Sequence, residues 1–328
     1  MRGSTSTHRP TLTFSRLRKT YATTVAADDV SFEVHSGEVF GMLGPNGAGK
    51  STIIRMLMDI IAPDTGAILL DGRPIGARER DRIGYLPEER GLYRKEKVLD
   101  VLVYFGMLKG LARAAARASA MRWLEAFGLG EMAGRRVDQM SKGQQQKVQI
   151  AGTLLHDPSI VVMDEPFSGL DPINTVFVKD VLRERSRAGG IVILSTHQMP
   201  LVEALCDRVA MIHHGRLVLY GNLEEIRRNQ GEASVLVDAD GELGSFAVVD
   251  RVERHGGLSR VFLKPGARPR DLMDLLVRQG LPVEHFEVMR TPVEEIFVRT
   301  VEAGDAAAGG AGAGSDAAGG VVDLGGRA

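Results

Sequence analysis

A single cysteine in 328 residues sets the first limit. Cys206 can form no internal disulfide and no cysteine-based zinc centre, which fits a reducing cytosol. It reads as a small buried hydrophobe. Long apolar runs are missing too. The most apolar stretches, residues 53–62 and 101–107, are short and broken or flanked by charge, as at Arg55 and Asp59. Neither reaches the ~20 apolar residues needed to cross a bilayer. The opening segment MRGSTSTHRP carries positive charge with no apolar core behind it, so no secretory leader is expected. A basic excess is also absent, since 41 Lys and Arg stand against 42 Asp and Glu. That balance argues against a nucleic-acid partner. What is there, 44% hydrophobic and 25% charged residues, is the composition of a folded soluble protein. The length accommodates one large domain and a smaller one. The chain is expected in the cytoplasm, and any work at a membrane must go through a partner.

Residues 11–35 alternate in a strand-like way through Leu12, Phe14, Val30, Phe32 and Val34. The apolar run 39–43 then leads directly into a glycine-rich stretch. Beyond it Ile53, Ile54, Leu57, Met58 and Ile61 share one helical face, which Pro63-Asp64-Thr65-Gly66 closes. Residues 97–128 read as helical segments rich in Ala, Leu and Arg. The runs 160–163 and 191–194 have the length and β-branching of buried parallel strands. Strands alternating with helices predict an α/β core. A second region begins near Gly221. Strand candidates at 234–237, 246–252 and 261–263, a helix at 270–279 and a strand then helix over 285–301 predict a small α+β domain. The expected divisions are an N-terminal extension at 1–10, a core domain at 11–221, an accessory domain at 222–302 and a tail from Ala303. That tail is mostly Gly, Ala and Asp, too poor in large apolar residues to bury a core, and reads as disordered.

Chemistry enters with Gly44-Pro45-Asn46-Gly47-Ala48-Gly49-Lys50-Ser51-Thr52, which fits the phosphate-loop pattern G-x-x-x-x-G-K-[ST]. Its glycines let the backbone curl so that N–H groups point inward at phosphates, where side chains would obstruct. Lys50 supplies positive charge to the β and γ phosphates, and the Ser51 hydroxyl can ligate Mg²⁺. The helix that follows adds the positive end of its dipole. The position between a strand and a helix is what such a loop requires. A second element is Ile160-Val161-Val162-Met163-Asp164-Glu165. Here a buried strand delivers two adjacent carboxylates at its C-terminal end, the edge where open α/β sheets bind ligands. One carboxylate can hold the Mg²⁺ shell and the next can polarise an attacking water.

Between these lies Met140-Ser141-Lys142-Gly143-Gln144-Gln145-Gln146. The order of glycine loop, S-x-G-Q, apolar run with Asp-Glu, and a later His resembles the nucleotide-binding domain of ABC transporters over residues 11–220. The resemblance implies a P-loop NTPase core with a helical subdomain, ATP and Mg²⁺ as ligands, and a homodimer. In that family the S-G-G-Q signature of one subunit closes over the γ-phosphate held by the glycine loop of another. Ser141, Gly143 and Gln144 match it, and Lys142 replaces its first glycine. Tyr21 sits where the family places an aromatic that stacks on adenine. Ser168-Gly169-Leu170-Asp171 resembles the loop that communicates between the two sites, and His197 resembles the switch histidine at the γ-phosphate. Glu165 is then the expected general base, with Asp164, Ser51 and Glu88 toward the metal. Glu88, in Tyr85-Leu86-Pro87-Glu88-Glu89-Arg90, stands where most members carry a glutamine that meets Mg²⁺ and senses the membrane partner.

YLPEERGLY, DEPFSGLDP, the second domain and Thr291-Pro292-Val293-Glu294-Glu295-Ile296-Phe297 resemble a branch of bacterial exporter ATPases that includes sodium-extrusion and drug-resistance systems. That implies export of a small solute through a separately encoded permease, with this chain peripheral on the cytoplasmic face. The alternative is a soluble ABC-type ATPase acting on ribosomes or DNA. Translation factors of that sort carry two nucleotide domains in one chain, whereas one glycine loop occurs here. Repair relatives insert a long coiled coil before the signature, for which the interval from Thr52 to Ser141 is too short and lacks heptads. A P-loop kinase gives no account of the Ser141 loop or His197.

Overall fold

The computed structural model describes residues 10–89, 91–239, 241–255, 257–310 and 322–323. They form two compact units divided after Asn222, with residues 322–323 belonging to the first. The alternating opening segment becomes a hairpin of β1 (Thr11–Tyr21) and β2 (Thr24–His35). The run 39–43 is β3 (Val39–Leu43), buried at every residue, and the glycine stretch carries it into α1 (Lys50–Leu57). This helix ends earlier than its apolar face suggests. Asp59 turns left-handed at φ +59, and the Ile60 N–H donates back to the Arg55 carbonyl at 2.9 Å. That backward bond satisfies a terminal carbonyl and stops the helix. Met58 and Ile61 still pack on the core, from the turn and not from the helix.

The antiparallel hairpin is extended by β4 (Thr65–Leu70) and β5 (Arg73–Pro74), in the order β2-β1-β4-β5. After α2 (Ala77–Asp81), β6 (Ile83–Leu86) enters the main sheet. The Ala- and Leu-rich interval forms α3 (Val98–Leu108) and α4 (Arg113–Ala126), and α5 (Lys142–Leu154) follows the Ser141 loop. Next come β7 (Ile160–Asp164), α6 (Pro172–Arg187), β8 (Ile191–Thr196) and α7 (Met199–Leu205). The hairpin of β9 (Arg208–His213) and β10 (Arg216–Asn222) completes the run. Strand order in the main sheet is β10-β9-β3-β8-β7-β6, parallel from β9 through β6. Phe32 stacks on Phe14 at 4.3 Å and on Phe40 at 5.4 Å, joining the antiparallel sheet to β3 through one aromatic column. Offset stacks of this kind add ~1 kcal/mol beyond the burial of the rings. Cys206 is buried, and a Cβ on Gly41 would come within 3.0 Å of its sulfur, so the thiol fills the space beside β3.

The second unit opens with α8 (Leu223–Gln230) and forms a sheet of β11 (Ser234–Ala239), β12 (Val249–His255), β13 (Leu258–Leu263) and, after α9 (Pro269–Arg278), β14 (Val283–Met289). The order is β12-β13-β11-β14, and every pairing is antiparallel. Val235, Val237, Val261 and Leu263 share a core with Leu272 and Leu276 of α9. Phe262 is buried, with the Arg251 guanidinium 3.5 Å and the Arg260 guanidinium 4.6 Å from its ring centre. Arg260 also reaches Glu295 at 3.1 Å, tying down α10 (Val293–Gly310). That helix runs past Ala303, where composition alone placed the start of a disordered tail. Alanine, which recurs at 303 and 306–308, continues a helix at almost no conformational cost. A two-residue strand, β15 (Val322–Asp323), pairs in parallel with Leu219 and Tyr220 of β10. Residues 311–321 and 324–328, also read as tail, lie outside the described residues.

Candidate functional site

Three neighbouring parallel strands end at one edge, and each contributes there. Leu43 of β3 pairs with Thr196 of β8, and Ser195 of β8 pairs with Asp164 of β7. The register therefore brings the glycine loop, the Asp164-Glu165 pair and the Thr196-His197 pair together without any long-range loop having to reach.

The loop needs its glycines. Gly44 sits at φ +145 and Gly49 at φ +112, and a Cβ would meet the Ile212 carbonyl oxygen at 2.1 Å in the first case and that of Ala26 at 2.1 Å in the second. No side chain fits in either place. Lys50 folds back over the loop, its Nζ donating to the Gly44 carbonyl at 2.7 Å and the Pro45 carbonyl at 3.0 Å. Burial pulls its ammonium below the ordinary value, while the charges of Glu165, Asp164 and Glu88 pull it upward. A desolvated cation facing three carboxylates is poised to exchange carbonyl partners for an anion. The Ser51 hydroxyl donates to Asp164 Oδ2 at 2.9 Å, and Asp164 is 3% exposed. These are hard oxygen donors on facing elements, the set that Mg²⁺ accepts.

Glu165 follows β7 in a left-handed conformation, φ +49. Its backbone N–H donates to the Ser195 carbonyl at 2.8 Å, so the chain turns sharply and aims the side chain across β8. Oε1 accepts from the His197 backbone N–H at 2.9 Å and lies 2.6 Å from His197 Nδ1. Oε2 accepts from the Thr196 hydroxyl at 3.0 Å. With a carboxylate opposite, Nδ1 is the protonated ring nitrogen. The structure thus joins Lys50, Ser51, Asp164, Glu165 and His197 in one cluster.

Ser141, Gly143 and Gln144 lie apart from that cluster. Ser141 caps α5, its hydroxyl accepting from the Gln144 N–H at 3.2 Å while the Gln144 side chain accepts from the Ser141 N–H at 2.9 Å. This reciprocal box shapes the signature turn, and Lys142 stands exposed in its first helical position. Among the described residues no hydrogen bond joins it to residues 44–52 of the same chain. Its link to the cluster runs through α5 instead. A Cβ on Gly143 would approach the Gly169 carbonyl oxygen to 2.6 Å, so this turn rests on the loop after Glu165. One turn on, Gln146 Nε2 donates to the Pro166 carbonyl at 3.0 Å, and Lys147 pairs with Asp171 at 3.6 Å. Tyr21 ends β1, 41% exposed, with the Lys19 ammonium 5.8 Å from its ring centre. Glu88 is exposed just beyond β6, close enough for its charge to act on Lys50.

Three further residues take part at this edge. Thr196 and Ser195 are polar residues closing an otherwise aliphatic buried strand, and that contrast was the available signal. Gly215 lies in the β9–β10 turn at φ +76; its N–H donates to the Ala48 carbonyl at 2.9 Å, and its carbonyl accepts from the Asp28 N–H at 2.8 Å. It backs the phosphate loop from a segment some 170 positions away in sequence, a contact no local pattern could announce.

Residues 27–168 match the family model described as ABC transporter, and residues 221–301 match that of the ATP-binding protein DrrA1-3-like C-terminal domain. The uncharacterised ABC transporter ATP-binding protein YhaQ of Bacillus subtilis is 39% identical over 232 residues, 71% of this chain and 78% of the relative. The linearmycin resistance ATP-binding protein LnrL of the same organism is 32% identical over 243 residues, 73% of this chain and 78% of the relative. A solved structure of an ATP-binding subunit of an ABC transporter superposes with a TM-score of 0.62 at 33% identity, covering 67% of this chain and 93% of that one. With the phosphate loop, the paired carboxylates and the capped Ser141 turn all in place, the chain belongs to the ABC transporter family as an ATP-binding subunit that hydrolyses ATP.

Proposed function

We propose that two copies of this chain bind ATP at a shared interface, each site built from residues 44–52 of one copy and the Ser141 turn of the other, and that closure drives export of a small solute through a separately encoded permease. The observation that carries this reading is the split just described. Lys50, Ser51, Asp164, Glu165 and His197 are assembled at one sheet edge, while Ser141, Gly143 and Gln144 are preorganised yet, among the described residues, make no hydrogen bond to that cluster. A half-site whose second half lies apart in the same chain fits completion by another copy.

In the hydrolytic step the oxygen of a water attacks the γ-phosphorus, the bond to the β–γ bridging oxygen breaks, and its electron pair leaves with ADP. Glu165 orients that water and takes its proton, His197 aligns the γ-phosphate, and Lys50 meets the charge that develops on it. Ser51 and Asp164 would hold Mg²⁺, with Glu88 beside them, and the ion when bound neutralises phosphate charge. Gly44, Pro45, Asn46, Gly47, Ala48, Gly49 and Thr52 wrap the phosphates, and Tyr21 stacks on the adenine.

No helix among the described residues is long and apolar enough to cross a membrane. ABC ATP-binding subunits act with a membrane permease, and exposed apolar side chains suit such a partner: Tyr93, Tyr104, Met107 and Leu108 are all exposed, the rings of Tyr93 and Tyr104 5.8 Å apart. We place the chain on the cytoplasmic face. Export is supported by relatives named for it, among them the Nod factor export ATP-binding protein I of Paraburkholderia xenovorans, 39% identical over 211 residues, and by the DrrA-like match at 221–301. The unit from Leu223 onward is read as an accessory domain. The test is Glu165→Gln. This variant should bind ATP, turn it over very slowly and accumulate as a dimer on size exclusion with ATP. A monomer under those conditions refutes the shared site.

A further inference from the structure

We propose that Thr196 is a positioning residue for ATP hydrolysis, its buried hydroxyl fixing one oxygen of the Glu165 carboxylate while the other oxygen changes partners. The inference rests on the reading of Glu165 as the group that orients water.

Glu165 is held in a left-handed backbone conformation that a non-glycine residue keeps only where surrounding contacts fix it. Three donors converge on its carboxylate. Two come from His197 to Oε1, and the His197 side chain is 54% exposed, beyond the end of β8. A ring that swings toward a γ-phosphate gives up its bond to Oε1. The third donor differs in kind. Thr196 is the last residue of β8, is 1% exposed, and is paired with Leu43 of β3. Its Oγ1 accepts from the Gln198 backbone N–H at 3.1 Å and donates to Oε2 at 3.0 Å. The Gln198 donor occupies a lone pair, which leaves the hydroxyl hydrogen directed at the carboxylate. This bond is independent of where the His197 ring points. Valine would meet the demands of a buried strand end equally well, and a buried hydroxyl carries a desolvation cost that only its bonds offset. The hydroxyl is therefore accounted for by its bonds to Glu165 and to the Gln198 N–H and not by packing.

The test compares Thr196→Val, Thr196→Ser and Glu165→Gln in the full chain by steady-state ATPase and thermal unfolding. Thr196→Val keeps the volume and the strand preference, and it should lower kcat about 10- to 100-fold, the factor expected for losing one hydrogen bond to a charged acceptor. KM for ATP should stay within about twofold, and Thr196→Ser should recover most of the lost kcat. Turnover by Thr196→Val within about twofold of the parent, a rise in KM at unchanged kcat, or failure of Thr196→Ser to recover activity overturns the proposal. Near-normal turnover by Glu165→Gln instead overturns the role given to Glu165, a failure that can be told apart from the others.

Discussion

Replacing Gly143 with alanine tests whether the Ser141 turn and the Glu165 carboxylate are mechanically joined. The added Cβ would stand 2.6 Å from the Gly169 carbonyl oxygen. Carbon and oxygen do not approach so closely, and both sides of the contact are backbone, so no rotamer change relieves it. Either the first turn of α5 or the loop from Glu165 to Asp171 must shift by several tenths of an ångström. Overpacking of this kind costs about 1–3 kcal/mol. The chain should fold, with Tm lowered by about 2–8 °C. The consequence for function is larger than that for stability. Gln146 ties the same helix to the Pro166 carbonyl, and Lys147 ties it to Asp171, so a displaced turn carries the neighbours of Glu165 with it. ATP binding by residues 44–52 should persist, because that loop hangs from β3 and is backed by Gly215. Nucleotide binding followed by fluorescence and turnover followed by phosphate release separate the two effects. Gly134→Ala is the control, since a Cβ there meets nothing within 4 Å. Parent-like turnover by Gly143→Ala with an unchanged Tm would refute the contact and the coupling drawn from it.

Ser51→Ala removes the donor to Asp164 Oδ2; the Mg²⁺ concentration for half-maximal ATPase should rise about tenfold or more, read from a metal titration at fixed ATP. Tyr21→Ala should weaken ATP binding about 5- to 150-fold, as expected for a lost stacking contact, and should spare kcat and Tm because the residue is 41% exposed. His156 is pushed down to about 4, chiefly by burial and then by the charge of Lys109, against an ordinary value of 6.5. A histidine neutral when folded but protonated when unfolded stabilises fully above pH 6.5 and loses that contribution as pH falls toward 4. About 2 kcal/mol should disappear across that window after allowing for partial exposure. His156→Leu should flatten this stretch of the urea-unfolding profile, and an unchanged slope would refute the assignment.

Much of the core was legible because its signals are local. Three glycines ahead of Lys50-Ser51, two acids after an aliphatic run and a histidine after another each need only a few adjacent residues to be read. Their parallel-strand setting follows from apolar runs that must be buried on both faces. The Asp164–Ser51 and Glu165–His197 contacts were beyond that reading, since register between β3, β8 and β7 brings them into range. So was the support of the loop by Gly215, and so was the capping of Ser141 by Gln144, which shapes the turn before α5. The tail shows the limit from the other side. Composition marks the segment from Ala303 as poor in large apolar residues, yet the helix begun at Val293 continues to Gly310. Sequence alone thus determined the chemistry available at each position. Only the tertiary structure decided which groups meet, because distances between residues remote in the chain are set by strand register and packing rather than by any local preference.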